Sequence, residues 1–87
     1  MTDLEKTREE INRINDEILS LFVRRMELSV DVHRYKKAHG LPTTDPAREA
    51  AIMETVAEKA GPVYRPYAQK LFRALIDLSK EYQDSLE

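Results

Sequence analysis

The sequence contains no cysteine, and only two of its 87 residues are glycine. Without cysteine the chain forms no disulfide and offers no thiolate nucleophile, which is compatible with a reducing compartment. A glycine-rich phosphate-binding loop is also missing. No apolar run is long enough to span a membrane, and the start shows no signal-peptide pattern, so we expect a cytoplasmic protein.

The sequence also has no excess of basic residues. The chain has 14 Lys and Arg against 16 Asp and Glu, a formal net charge of −2. Nucleic-acid-binding domains usually carry a basic excess on one face, so this balance argues against such a partner. The length predicts a single domain over residues 1–87. A domain this small buries little surface unless it associates with another chain.

The first part of the chain has neither glycine nor proline before Gly40. Its apolar side chains recur at steps of three and four, which is the spacing of one helix face. We predict a single helix over about 4–38, about 50 Å long. Its stripe comprises Leu4, Thr7, Ile11, Ile14, Ile18, Leu21, Arg25, Leu28, Val32 and Tyr35. A stripe this long and regular forms a heptad seam, which predicts an intertwined homodimer.

Two further helices are predicted after a turn at Gly40. Asp45, which precedes a proline, is a strong N-terminal capping signature, and a second helix is expected over about 46–60. Gly61 interrupts that pattern, so a third helix is placed over about 64–86, after a connection of variable length. Since no strand pattern is present, the predicted fold class is all-α with three helices: long, short and medium.

Arg25 breaks the apolar stripe, and a permanent charge in a core seam needs a partner. Lys36 lies beside the same stripe about 16 Å further along the helix, so the two cations can hold a small dianion between them. Arg8 is about 25 Å from Arg25 in a straight helix and can serve the same site only from a second, antiparallel chain. Each residue also has a simpler interpretation, as a structural or surface ion-pairing charge.

Other polar residues lie on the apolar faces of the later helices. Arg48 opposes the dipole at the start of the second helix, and Glu49 continues the apolar face of that helix. Ser79 and Gln83 are one turn apart and extend the apolar line of the third helix. Alternatively, Arg48 and Glu49 are surface charges and Asp45 is only a cap. Together these groups suit a small polyanion that carries a hydroxyl.

The residues of covalent or metal catalysis are missing from this pattern. His33 and His39 are expected on the solvent side of the first helix and in the following loop, with no Ser or Asp constellation beside them. No cluster of histidines and carboxylates has metal-ligand spacing, so a metal site is not expected. A catalyst built from this set would act by clamping its substrate and by electrostatic stabilisation.

Over nearly its whole length the chain resembles the all-helical class of chorismate mutases. The resemblance is carried, in order and at the family's spacing, by TREEINRINDEILSLFVRRMELSVDV, Lys36, DPAREAAI and LFRALIDLSKEYQ. It implies the rearrangement of chorismate to prephenate in aromatic amino-acid biosynthesis, an isomerase reaction without a cofactor. Two alternatives stay open: an isochorismate-pyruvate lyase on the same fold, and a non-catalytic helical dimerisation module in which Arg25 sets the register.

The resemblance also implies how the substrate is gripped. Arg8 from the partner chain and Arg25 would bind its carboxylates, with Ser79 supporting a carboxylate contact. Lys36 and Gln83 would hydrogen-bond the ether oxygen of the breaking C–O bond. Since position 83 is glutamine, no protonation of a carboxyl group is needed for this donation.

At the other end of the substrate, Asp45 and Glu49 would contact the ring hydroxyl, with Arg48 shaping the charge there. The residues implied to be catalytic are Lys36, Gln83, Arg25 and Glu49. The implied partners are the dianionic substrate, a second copy of this chain with which the active sites are shared, and another shikimate-pathway enzyme. Neither nucleic acid nor a membrane is expected as a partner.

Overall fold

The computed structural model describes residues 2–86 and contains two long helices. α1 spans Asp3–Ala38 and α2 spans Pro46–Ser85. The all-α fold class is therefore confirmed, whereas the prediction of three separate helices is wrong. The first and last residues of the predicted domain, 1 and 87, lie outside the described residues.

α1 agrees with the predicted first helix to within one residue at each end. Thr2 caps it, because the Thr2 hydroxyl accepts the backbone N–H of Glu5 at 3.1 Å. Lys36 and Lys37 lie in the last turn, where positive charge complements the helix dipole. The chain then leaves the helix through Gly40, whose φ of 66° favours glycine. With 36 residues α1 is about 54 Å long, so it sets the longest dimension of the chain, 56 Å.

α2 combines the predicted second and third helices. Among residues 46–85, only Gly61 has a non-helical backbone, with φ 77° and ψ 167°, and the helix turns back there. Pro62 follows directly, and its fixed φ and missing N–H suit the first position after such a break. The expected connection of variable length does not form, and residues 62–70 are already helical.

The two segments of α2, residues 46–60 and 62–85, lie beside each other. Glu49 in the first segment is 3.3 Å from Lys80 in the second, although the two are 31 positions apart. In a straight helix they would be separated by about 46 Å. The contact therefore depends on the turn at Gly61.

The chain buries very little apolar surface on its own. Among residues 2–86, Ile76 is the one buried apolar side chain, at 4% exposure. Every residue from 2 to 21 is exposed, and the seam residues Ile14 and Leu21 are 52% and 69% exposed. An apolar stripe of this length in contact with water is typical of an interface.

The two histidines lie at different depths. His39 follows the last residue of α1 in an exposed position, as predicted, and its ring stacks on Tyr35 at 4.0 Å. His33, predicted on the solvent side, is half-buried instead, and its Nε2 atom is buried without a hydrogen-bond partner among the described residues. The prediction failed because His33 follows Ser29 by one turn, on the face of α1 that packs against α2.

Within residues 2–86, neither helix has a stretch that is both long and apolar enough to cross a lipid bilayer. In the same part of the chain, no three His, Asp or Glu side chains come together to hold a metal ion. The expected compartment and the expected independence from cofactors stay predictions.

Candidate active site

A cavity of about 260 Å³ lies between α1 and both segments of α2. Of the eight residues predicted for the site, seven line it: Arg25, Lys36, Asp45, Arg48, Glu49, Ser79 and Gln83. Its apolar walls come from Leu28, Val32, Ile52 and Ile76. A small pocket with apolar walls and a few converging polar groups is the usual form of a ligand site.

The cavity is cationic, although the chain as a whole is not. Its lining carries four cationic side chains, Arg25, Lys36, Arg48 and Lys80, and two carboxylates, so its formal charge is +2. The net charge of the whole chain is −2. A concave site with this sign of charge attracts a small anion selectively.

Arg25 projects from α1 towards α2. Its side chain is half-buried, and its Nη1 donates to the backbone carbonyl of Leu75 at 3.3 Å. A guanidinium carries five N–H donors, and this hydrogen bond engages one of them. The charge is thus held in place by α2 while its remaining donors can bind a carboxylate at the cavity.

Lys36 is held by the connection between the helices. Its Nζ donates to the carbonyl of Thr43 at 2.7 Å, and its side chain is half-buried. An ammonium group has three donors, so two are left for a ligand. The bond to Thr43 fixes the position of the charge, which is the condition for electrostatic preorganisation.

Asp45 caps α2 as predicted. Its carboxylate accepts the backbone N–H of Arg48 at 3.1 Å, and it also lines the cavity. The capping role therefore does not exclude contact with a ligand. The Arg48 side chain is exposed and lines the same cavity from the first turn of the helix.

Glu49 is held by two cations from the second segment of α2. Its carboxylate lies 2.9 Å from Nη1 of Arg73 and 3.3 Å from Nζ of Lys80, and its side chain is 15% exposed. The hydrogen bond from Arg73 and, to a smaller extent, the contact with Lys80 lower the pKa of Glu49 from its ordinary value, 4.5, although partial burial opposes them. Glu49 is therefore ionised throughout the neutral range.

This lowered pKa predicts a stability difference that depends on pH. A carboxyl group whose pKa is lower in the folded than in the unfolded state stabilises the fold above the unfolded pKa, and the stabilisation is lost as the pH falls through the folded pKa. We expect Glu49→Gln to melt at a lower temperature than the wild type at pH 7. The difference should shrink as the pH falls below about 4.5, which melting curves followed by circular dichroism would measure. Equal differences at pH 3 and pH 7 would contradict this electrostatic origin.

A buried chain of hydrogen bonds joins α1 to the end of α2. The Ser29 hydroxyl donates to the carbonyl of Arg25 at 3.1 Å, and its oxygen lies 2.7 Å from that of Ser79. Gln83 Nε2 donates to Ser79 Oγ at 3.1 Å. The three hydroxyl and amide side chains are between 5% and 9% exposed.

The donor and the acceptor of each of these hydrogen bonds follow from the number of hydrogens that each group has. A carbonyl only accepts, so the single hydroxyl hydrogen of Ser29 is used on Arg25, and the Ser79 hydroxyl must donate to Ser29. Ser79 Oγ then accepts from the amide nitrogen of Gln83, which fixes the orientation of the amide. One N–H of Gln83 is left for a ligand, and its Oε1 is buried without a partner within residues 2–86.

Arg8 is the one predicted site residue that does not line the cavity. It lies in the exposed first part of α1, 17 residues and about 25 Å before Arg25. A single chain therefore does not bring Arg8 to the other cations.

Three polar contributors to the site were not predicted from the sequence. Ser29 lies one turn after Arg25, a spacing that could have indicated it. Lys80 comes next to Ser79 in the sequence but has no periodic signal of its own. Thr43 acts through its backbone carbonyl, which the sequence does not reveal.

The chain matches known proteins over most of its length. Residues 7–84 match the family model described as chorismate mutase type II. The chain is 33% identical to a chorismate mutase of Methanocaldococcus jannaschii over 92% of its own length and 83% of that protein. A solved structure of chorismate mutase (form II) from Thermus thermophilus has a TM-score of 0.91, with 28% identity and 99% of each chain covered.

Two other relatives share a smaller part of their sequence with this chain. The T-protein of Haemophilus influenzae is 41% identical over 70% of the chain, which spans only 17% of that protein. The 4-amino-4-deoxychorismate mutase of Streptomyces venezuelae is 31% identical over 67% of the chain and 56% of that protein. The match to the family model, the relatives and the fold agree, so the chain belongs to the chorismate mutases of type II, isomerases that convert chorismate to prephenate in aromatic amino-acid biosynthesis.

Proposed function

We propose that the cavity accelerates the rearrangement of chorismate to prephenate by holding the substrate in a compact conformation and by stabilising charge on its ether oxygen. The observation that carries the proposal is the formal charge of +2 on a small cavity lined by seven predicted site residues. Chorismate is a dianion of matching charge. The reaction is intramolecular, breaking one C–O bond and forming one C–C bond, so it needs neither a nucleophile nor a proton transfer.

The carboxylates of the substrate are assigned to the arginines. Arg25 is preorganised by its bond to the Leu75 carbonyl and still has the forked donors that pair with a carboxylate. Gripping both carboxylates selects the folded conformer in which the reacting carbons approach each other. The supporting contact expected from Ser79 requires its hydroxyl to turn away from Ser29, and this role stays a prediction.

The ether oxygen is assigned to Lys36 and Gln83. Negative charge grows on that oxygen as the C–O bond breaks, so donors fixed beside it bind the transition state more tightly than the substrate. The bond from Lys36 to Thr43 and the bond from Gln83 to Ser79 hold both donors in place. Catalysis then requires little reorganisation of the protein.

The complete site is proposed to need a second chain. The apolar side chains of the seam are between 44% and 69% exposed, and no other part of residues 2–86 covers the first part of α1. An antiparallel second copy would bury this seam. Arg8 lies about 25 Å before Arg25 along α1. In an antiparallel pair, the Arg8 of the second copy would therefore lie within reach of the cavity of the first.

Mixed dimers test this shared site. Arg8→Ala and Arg25→Ala homodimers should each be nearly inactive with chorismate. When the two variants are unfolded, mixed and refolded together, half of the dimers pair one chain of each kind, and each such dimer regains one intact site. We expect recovery of about a quarter of the wild-type activity if pairing in the symmetric dimer is random. No recovery, in a mixture whose heterodimers are verified by mass spectrometry, would contradict the shared site.

The domain is further proposed to act beside another enzyme of the shikimate pathway. The match to the T-protein of Haemophilus influenzae supports this, because the matching part makes up only 17% of that protein. Affinity capture from the source cell, with purified pathway enzymes as competitors, would test the association.

Product identification tests the activity itself. Purified protein is mixed with chorismate and the products are identified by nuclear magnetic resonance, with Arg25→Ala as the inactive reference. Prephenate formed by the wild type alone supports the proposal. Release of pyruvate from isochorismate, without turnover of chorismate, would assign the lyase reaction. No reaction with either compound would leave a helical dimerisation module.

A further inference from the structure

The cavity contains two carboxylates, and both already have positive partners. Glu49 contacts Arg73 at 2.9 Å and Lys80 at 3.3 Å. Asp45 accepts the backbone N–H of Arg48 at the N-terminus of α2, where the helix dipole is positive. The charge of Glu49 is therefore offset by two cations, and the charge of Asp45 is offset in part by the helix dipole.

Lys80 differs from Arg73 in its position. Lys80 lines the cavity and its side chain is 27% exposed, whereas Arg73 does not line it and is 44% exposed. Both cations also lie near Asp77, at 3.8 Å from Arg73 and 4.0 Å from Lys80, but Asp77 is 57% exposed and water screens its charge. Lys80 is thus the cation that a ligand meets beside Glu49.

The chemistry of the substrate decides what this arrangement selects. The chorismate dianion has one hydrogen-bond donor, its ring hydroxyl, and the charged acceptors for it in the cavity are the carboxylates of Asp45 and Glu49. A neutral hydroxyl donates to a compensated carboxylate without a charge penalty. An ammonium group at the same position needs an uncompensated carboxylate and is repelled by the neighbouring Lys80.

We propose that Lys80 determines substrate specificity: by placing a positive charge beside Glu49 at the cavity wall, it makes the site select a ring hydroxyl and reject an ammonium group in its place. The inference rests on the proposed function, in which Asp45 and Glu49 face the ring hydroxyl. The choice is a real one within this group of proteins, because one relative is named for 4-amino-4-deoxychorismate, in which an amine replaces the hydroxyl.

The test compares kcat/KM for chorismate and for 4-amino-4-deoxychorismate in four proteins. Lys80→Met removes the charge but keeps most of the length of the side chain, Lys80→Arg keeps the charge, and Lys70→Met removes an exposed lysine of α2 outside the cavity. We expect Lys80→Met to shift the ratio towards the amino compound by about tenfold or more. Lys80→Arg and Lys70→Met should stay within about twofold of the wild type.

Several results would overturn the inference. A Lys80→Met enzyme that loses activity equally on both compounds would show a merely structural role. A wild type that prefers the amino compound would contradict the proposed direction of selection. If turnover of the amino compound is too slow to follow, its Ki as an inhibitor of chorismate turnover is compared among the four proteins instead. Lys80→Gln replaces Lys80→Met if circular dichroism shows that the latter is unfolded. A wild type inactive on both compounds would instead refute the proposed function.

Discussion

Replacing Lys36 by alanine is expected to lower kcat for chorismate by about 10²–10³-fold, the usual loss when a fixed donor to a developing oxyanion is removed. The effect should be on kcat more than on KM, because the charge on the ether oxygen grows only in the transition state. The 2.7 Å bond to Thr43 holds the ammonium in place before the substrate arrives. Steady-state kinetics on the purified variant would measure both parameters.

The chain offers a matched control at the next residue. Lys37 lies in the same last turn of α1 but is exposed and does not line the cavity. Lys37→Ala also removes a positive charge from the C-terminal end of α1. Any loss of activity that comes from a weaker interaction with the helix dipole should therefore appear in this variant as well. A Lys37→Ala loss as large as that of Lys36→Ala would refute the assigned role.

The Arg25→Ala exchange is expected to lower kcat/KM by about 10²–10³-fold, as is typical when one partner of a partly buried charge pair is removed. Arg25 contributes charge and a forked donor set to the proposed carboxylate contact, and alanine contributes neither. Arg25→Lys should recover only part of the activity, since an ammonium keeps the charge but not the fork. Chorismate turnover by the three proteins would measure the series.

Arg24 supplies the control for this second exchange. It is adjacent to Arg25 in the sequence but exposed and absent from the cavity wall. Arg24→Ala is expected to leave kcat/KM within about twofold of the wild type, as is usual for a surface substitution away from special features. If Arg25→Ala is folded and as active as Arg24→Ala, the charge in the seam is only structural.

Much of the fold is encoded by local signals. The uninterrupted stripe predicted α1 to within one residue at each end, and the pairing of Asp45 with a following proline predicted the start of α2, because caps and helix periodicity depend on near neighbours in the sequence. The boundary at Gly61 was less well predicted. A glycine followed by proline usually marks a loop, yet here one residue makes the whole turn.

The site residues that the sequence did not reveal are brought into the site by contacts between distant parts of the chain. Breaks in the apolar pattern indicated the charged residues of the cavity, since a polar residue on an apolar face needs a reason. Ser29 did not break the apolar pattern in this way, because a serine is tolerated inside a helix. Only its spacing of one turn after Arg25 pointed to the site, and its partner Ser79 is 50 positions away. The partners of Glu49 were missed for the same reason, since Lys80 meets it only after α2 has turned back.

The turn at Gly61 has a consequence for how the cavity assembles during folding. A longer connection would cost more conformational entropy on closure, whereas this helical hairpin closes through one residue with φ 77° and ψ 167°. That backbone region belongs almost solely to glycine, and another residue would carry a strain of about 1–3 kcal/mol there. Gly61 has no neighbouring atom within 4 Å of the place where a Cβ would be, so the constraint is purely one of backbone geometry. The entropy cost of bringing the two segments of α2 together around the cavity therefore depends on Gly61, a residue that does not line the cavity.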